Sequence, residues 1–245
     1  MEKNVYLDLG YWVQKKAKQL GANQSALGIR QSRSVSVDYR DGKVETLKES
    51  TQQSLWIEIF SKGRYSNHST NDLRKESLEK FIANAIDLTG FLEKDKYRKL
   101  PDPEQYKGQS QVDLDLNDVG QADITGEERQ NRAKELGVHL EGKDERLISV
   151  ASGFSDYHSE SYQLSSNGFE GHQESTSFAQ SVEISLQGKG DKKPEGGRYY
   201  RARHLDDLVG AEQTANEALA RTQDRVGAEK IATETMPLLL ENSNA

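Results

Sequence analysis

No cysteine occurs anywhere in the 245 residues. That excludes disulfides, thiolate metal sites and thiol nucleophiles, and it suits a reducing cytoplasm. Long apolar runs are missing as well. No stretch approaches the ~20 residues a membrane-crossing helix needs, and the N-terminal MEKNVYLDLGYWVQKK has no apolar core ahead of a cleavage site. A basic surplus is absent too: the net charge of -7 argues against nonspecific binding to nucleic acid or to a membrane surface. Apolar residues are scarce at 33%, with 30% charged, a mix that approaches disordered chains. Ten tyrosines, two tryptophans and regular strand patterns argue for a fold. The expectation is an α+β protein of antiparallel sheets flanked by helices, with long solvent-facing ribbons apolar on one side.

Helical spacing first links Leu9, Trp12, Val13, Ala17 and Leu20, and Gly21 ends the pattern as a C-terminal cap. Strand patterning follows, Val35, Val37 and Tyr39 alternating with Ser34, Ser36 and Asp38. Asp41-Gly42 supplies the positive φ angles of a two-residue hairpin, returning through Val44 and Leu47. Leu55 to Phe60 is apolar on successive positions, as in a strand covered on both sides. A second helical stripe joins Leu78, Phe81, Ile82, Ala85, Ile86 and Leu92.

The pattern then recurs. Thr125 and Glu128 have capping-box spacing ahead of a short helix ending KELGV. Strands are expected around Leu147 to Val150 and Tyr162 to Leu164, a hairpin turn at Asn167-Gly168, and a strand through Val182, Ile184 and Leu186. The last helix carries Leu208, Ala211, Ala215, Leu219 and Val226, with Gly227 at its end. Each half also holds a Gly-Arg-Tyr and an Asp-Leu, in KGRYSNHSTNDL (Lys62 to Leu73) and GGRYYRARHLDDL (Gly196 to Leu208). Lys18 and Lys134 are 116 residues apart, Asp41 and Asn167 126, Gly63 and Gly197 134, so the second copy has longer loops. GKGDKKPEGG is the insertion this implies. The reading is an internal duplication of a helix–ribbon–helix unit. The first unit spans residues 1–100. A polar linker, KLPDPEQYKGQSQVDLDLNDVGQAD, joins the second within 101–228, and 229–245 opens a truncated further domain. In that last segment Ile231 to Leu240 reads as a strand with nothing after it to pair with, as expected of a fragment.

Each candidate for chemistry meets an objection. DLDLND, Asp113 to Asp118, starts like a calcium loop, but Asp118 occupies the glycine position and Ile124 the bidentate glutamate position. His172-x-Glu174 has the spacing of a zinc deaminase signature whose cysteine ligands the chain lacks. His68, His139, His158, His172 and His204 show no paired helical spacing. No phosphate loop and no Gly-x-Ser-x-Gly elbow occurs. No catalytic, cofactor-binding or metal-binding residue is assigned.

The stretches SRSVSVDYRDGKVETLKES, GRYSNHSTNDLRKESLEKF, LPDPE, SSNGFEGHQEST and RYYRARHLDDL together resemble the TldD/PmbA (TldD/TldE) family of bacterial and archaeal peptidases, once labelled modulators of DNA gyrase. The likeness runs from about Leu20 to the C-terminus, and PLLLEN is closer to the PmbA branch. The resemblance implies the N-terminal, non-catalytic region of a metalloprotease subunit. It also implies a TldD-type partner that carries the zinc, and peptide or unfolded polypeptide as substrate. No family zinc ligand has a matching position here. In this reading Gly63 and Gly197 permit turns, Tyr65 and Tyr199 pack, and Asp72 and Asp206 or Asp207 sit at helix N-termini. Arg64 and Arg198 are the alternative grips for a peptide carboxylate. The competing expectation is a stand-alone peptide-binding module that pairs extended ligands with exposed strand edges.

Overall fold

The computed structural model describes residues 2–110 and 112–241. Helix α1 (Glu2–Gln19) ends where Gly21 takes φ 113°, as the cap reading requires. Strands β1 (Gln24–Arg40) and β2 (Lys43–Ser61) turn on Asp41-Gly42, both at positive φ. Strand β3 (Arg64–Thr70) follows a turn on Lys62-Gly63, and helix α2 (Lys75–Thr89) closes the first run. The second run is helix α3 (Gly126–Val138), strands β4 (Leu147–Ser165), β5 (Glu170–Leu186) and β6 (Glu195–Ala202), and helix α4 (Ala211–Gln223). Thr125 caps α3 as its spacing predicts, its side chain accepting from Glu128 N at 3.1 Å. The β4–β5 turn falls at Asn167-Gly168, and the longer connection before β6 holds GKGDKKP.

All strands are antiparallel and join one six-stranded sheet, in the order β3-β2-β1-β4-β5-β6. The α+β expectation holds, but with a single sheet. Its two runs meet where β1 lies beside β4, Arg33 opposite His158. Helices α1 and α2 cover Leu27, Ile29, Leu55, Ile57 and Ile59. Helices α3 and α4 cover Val37, Val150, Phe154, Val182 and Ile184. These residues all point to one face, so every helix packs on that side.

Several expectations need correction. The segments around Leu147–Val150 and Tyr162–Leu164 are the two ends of one strand, β4. Leu55, Ile57 and Ile59 are buried while Trp56 and Glu58 are half-buried, so β2 is interior to the sheet but covered on one face only. Val44 and Leu47 lie in β2 yet stay exposed, as do Leu20 and Leu92 at the helix ends. The polar stretch from Lys99 to Asp123 is no free linker. It forms 3-10 turns at Pro103–Tyr106 and Val119–Asp123 and is clipped to the sheet. Asn167 Nδ2 donates to Pro101 O at 2.7 Å, and Thr176 N donates to Leu116 O at 2.9 Å. Ile231 to Leu240 is not a strand: it is irregular and exposed, with no strand beside it among the described residues. β-propensity without a neighbour to pack against does not make a strand. Residues 242–245 of the segment read as a further domain lie outside the described residues.

Candidate functional site

The helix-free face of the sheet is paved with serine. Because side chains alternate along a strand, the residues between the core positions of β1 point away from the helices. The register aligns them in rows: Gln52, Ser32, Ser159 and Ser175 across four strands, and Ser50, Ser34, Tyr157 and Ser177 beside them. Small hydroxyl side chains leave the face low, and glycines lower it further. A Cβ at Gly153 would meet Asp38 Oδ1 at 2.6 Å, and one at Gly197 would meet Val182 O at 2.6 Å.

Two hollows interrupt this face. One, of about 280 Å³, is bounded by Arg30, Ser32, Asn71 and Tyr157. Arg30 Nη2 donates to Tyr157 Oη at 2.9 Å. Burial pushes the Tyr157 hydroxyl pKa up, but the Ser32 hydrogen bond and the Arg30 charge outweigh it, leaving the phenol below its usual value. The other is an 810 Å³ groove over β4, β5 and β6, with Ala151, Ser181 and Gly197 in its lining beside Arg40 and the exposed Tyr199. At the rim of the face Asp38 has its pKa raised by burial, then by the Glu45 charge. No histidine is placed on these rows, so no serine there has a base to activate it. The surface offers hydrogen-bonding groups without a nucleophile.

On the helical face, Glu160 and Glu174 stand directly opposite each other on β4 and β5. Like charges in that position repel, and each takes a histidine diagonally: His158 Nε2 to Glu174 Oε1 and His172 Nε2 to Glu160 Oε1, both 2.9 Å. Tyr162 Oη donates to Glu160 at 2.7 Å, and burial, then that bond, push its pKa far above the phenol range. His172 and Glu174 therefore end in separate pairs. Among the described residues no three His, Cys, Asp or Glu side chains are grouped to hold a metal ion. The zinc implied by the resemblance does not fit any donor set among the described residues.

The remaining candidates have structural partners. His68 lies 2.9 Å from Ser66 Oγ, with its pKa lowered by burial, and His139 sits 3.7 Å from Glu135 at the end of α3. Arg64 Nε donates to Leu92 O at 2.7 Å, and Arg198 pairs with Glu217 at 2.9 Å. The two Gly-Arg-Tyr triplets are not equivalent. Gly63 occupies a turn at φ 76°, and Arg64 makes the last β2–β3 pair. Gly197 lies inside β6 opposite Glu183, where a turn reading fails. Tyr65 packs on Phe60 at 5.1 Å, whereas Tyr199 is exposed. Asp72 caps the approach to α2 by accepting from Arg74 N at 3.1 Å. Asp206 and Asp207 form a 3-10 turn, and the N-cap of α4 is Gly210.

His204 and the acidic stretch Asp113 to Asp118 do come together. His204 Nε2 lies 2.9 Å from the Asp115 carbonyl and 3.1 Å from its carboxylate. The hydrogen bond to the Asp115 backbone raises the His204 pKa; burial opposes it, and the charges of Asp115, Asp118 and Asp207 add to the rise. A raised histidine pKa means a stabilisation fully present below the unfolded value of about 6.5 and lost as pH rises through the folded pKa. The expected result is a His204 ring titration midpoint above 6.5 by NMR, falling in Asp115→Ala. A midpoint at or below the free value, unmoved by that substitution, would contradict the clamp.

Comparison with known proteins places this geometry. Residues 26–89 match the family described as PmbA/TldA metallopeptidase domain 1, and residues 120–226 match the PmbA/TldA metallopeptidase central domain. The chain is 22% identical over 220 residues to metalloprotease PmbA of Escherichia coli O157:H7, covering 89% of this chain and 48% of that one. It is 20% identical to the PmbA homolog of Buchnera aphidicola, covering 93% and 50%. A crystal structure from Bacteroides thetaiotaomicron, of a protein named as a modulator of DNA gyrase, superposes with a TM-score of 0.89 at 32% identity, over 94% of this chain and 52% of that one. TldE from Thermococcus kodakarensis shares the fold, with a TM-score of 0.70 at 16% identity, over 88% and 47%. The chain spans about half the length of the curated relatives it matches.

Proposed function

Because the chain belongs to the PmbA/TldD metallopeptidase family, we propose that it is a non-catalytic N-terminal region of a proteolytic subunit, on the PmbA/TldE side, which admits peptide substrate along its helix-free face. Zinc and the hydrolytic chemistry belong in this reading to a TldD-type partner in the cytoplasm, and no residue of this chain is assigned a catalytic, cofactor or metal role. The observation that carries the proposal is the serine-paved face itself. Ser32, Ser34 and Ser50, which are partly exposed where Ser159, Ser175 and Ser177 are buried, offer donors and acceptors to any peptide backbone, and the low profile of the face admits an extended chain without selecting a side chain. The doubled order of helix, three strands and helix supports a duplicated unit, 1–100 and 101–228, whose two copies pool their strands to make the face wide enough.

The absence of cysteine makes the test direct. Single cysteines at Ser34 on the face, Leu47 on β2 and Lys80 on α2 are labelled with a photo-crosslinker and exposed to a fluorescent unfolded peptide. Crosslinking concentrated at Ser34 is expected, and equal yield at Lys80 would sink the proposal. Leu47, which pairs with Val37 and so points away from the serine-paved face, addresses a second reading, the edge-pairing module. Among the described residues no strand pairs with the outer side of Lys43–Ser54, because β3 reaches only Leu55. An open edge can recruit an extended ligand, and yield concentrated at Leu47 would favour that reading.

A further inference from the structure

The connection after α2 holds its backbone firmly and its apolar side chains outward. Asp95 N donates to Gly63 O at 2.9 Å, Arg64 Nε to Leu92 O at 2.7 Å, and Tyr97 N to Asp95 Oδ1 at 2.9 Å. The Arg98 guanidinium lies 4.7 Å from the Tyr65 ring centroid. Yet Phe91 is 86% exposed and Tyr97 81%, with Leu88 and Leu92 also outside. Aromatic side chains on a pre-organised loop lose little entropy on docking and are the usual anchors of protein interfaces. The loop is basic, Lys94, Lys96, Arg98 and Lys99 against Glu93 and Asp95, in a chain whose net charge is -7.

The chain itself carries the complementary surface. Residues 112–123, VDLDLNDVGQAD, hold Asp113, Asp115, Asp118 and Asp123 with no lysine or arginine. Val112, Leu114 and Val119 are 71%, 69% and 85% exposed. This stretch is also held in place: Asp118 N donates to Thr176 Oγ1 at 2.8 Å, and Leu205 N donates to Asp118 Oδ2 at 2.9 Å. We propose that the basic, aromatic loop 88–99 of one copy docks on the acidic, apolar stretch 112–119 of a second copy of this chain. Phe91 and Tyr97 cover Leu114 and Val119, and Lys94 and Lys96 face Asp113 and Asp115. The interface is independent of the substrate reading, since neither segment lies on the serine-paved face.

The experiment is sedimentation equilibrium of the full chain across concentration and salt. Self-association that weakens with salt is expected, as screening demands of exposed charges. The charge reversals K94E/K96E and D113K/D115K should each weaken it about tenfold, and mixing the two variants should restore it. Phe91→Ser and Val119→Ser, which leave the His204 contact intact, should weaken it as well. A chain monomeric at its highest soluble concentration would overturn the proposal, as would association that neither reversal changes. Binding of a monomeric chain to phosphatidylserine vesicles, lost in Phe91→Ser, would assign the loop to a bilayer instead and equally overturn it.

Discussion

Replacing Asp156 by alanine should destabilise the protein by about 3–5 kcal/mol, read as a fall in the urea midpoint at unchanged slope. Asp156 and Arg129 are buried together beneath α3, with side chains 0% and 4% exposed. Arg129 Nε donates to Asp156 Oδ2 at 2.5 Å and Nη2 to Oδ1 at 3.1 Å. The Ile124 carbonyl accepts from Arg129, and the Gln121 side chain donates to Asp156. The hydrogen bonds it donates to Asp156 hold the Arg129 pKa above its already high value, and because a guanidinium is intrinsically too basic to lose its proton it stays charged when that partner is removed. An uncompensated cation then remains in the interior, which is why the single substitution costs more than the pair is worth. The double variant Arg129→Met, Asp156→Leu fills the same space without charge and should lie closer to wild type than Asp156→Ala. A loss below about 1 kcal/mol in Asp156→Ala, the range of an exposed pair, would show that water reaches the site.

That network marks the boundary of what the sequence displays. Features made by near neighbours were legible: the alternation of Val35, Val37 and Tyr39, the Asp41-Gly42 tip, the Thr125 cap and the Gly21 stop each depend on a few adjacent residues. Strand β4 was legible only at its apolar ends. Its middle buries Ser152 and Asp156, polar residues whose partners, the Ala133 carbonyl and Arg129, come from another element. The stretch Lys99 to Asp123 looked like a linker because its anchors, Thr176 and Asn167, lie far along the chain. The opposite error came at Ile231 to Leu240, where local propensity was strong and no neighbouring strand exists among the described residues. Gly63 and Gly197 sit in identical triplets and do different work, one turning the chain and the other admitting the Val182 carbonyl close to β6. The serine alternation was visible from the start. That every helix packs on the other side is a property of the assembled sheet, and no window of sequence contains it.

The same dependence on distant partners makes Phe178 the core position with the most to lose. It is fully buried on β5 and packs with Val37, Tyr39, Ile124, Ala133 and Phe154, a cluster drawn from both runs of the chain and from the stretch between them. Leu205 and Leu208, ahead of α4, pack against the same cluster. Phe178→Ala is expected to cost about 3–5 kcal/mol, the lost transfer energy of the ring plus the cavity it leaves. Tyr199→Ala, an aromatic truncation on the same sheet but at an exposed position, should stay within about 0.5 kcal/mol. The loss at Phe178 should also be local before it is global, because the Ile124 side chain packs in this cluster and its backbone is held only nearby, by its 3-10 turn and by the Arg129 side chain. Amide exchange at residues 116–124 should therefore accelerate in Phe178→Ala under native conditions, while exchange in β1 and β2 beneath α1 and α2 changes less. Uniform acceleration across the whole sheet would mean that the cluster is no separate unit, and that the two runs of the chain open only together.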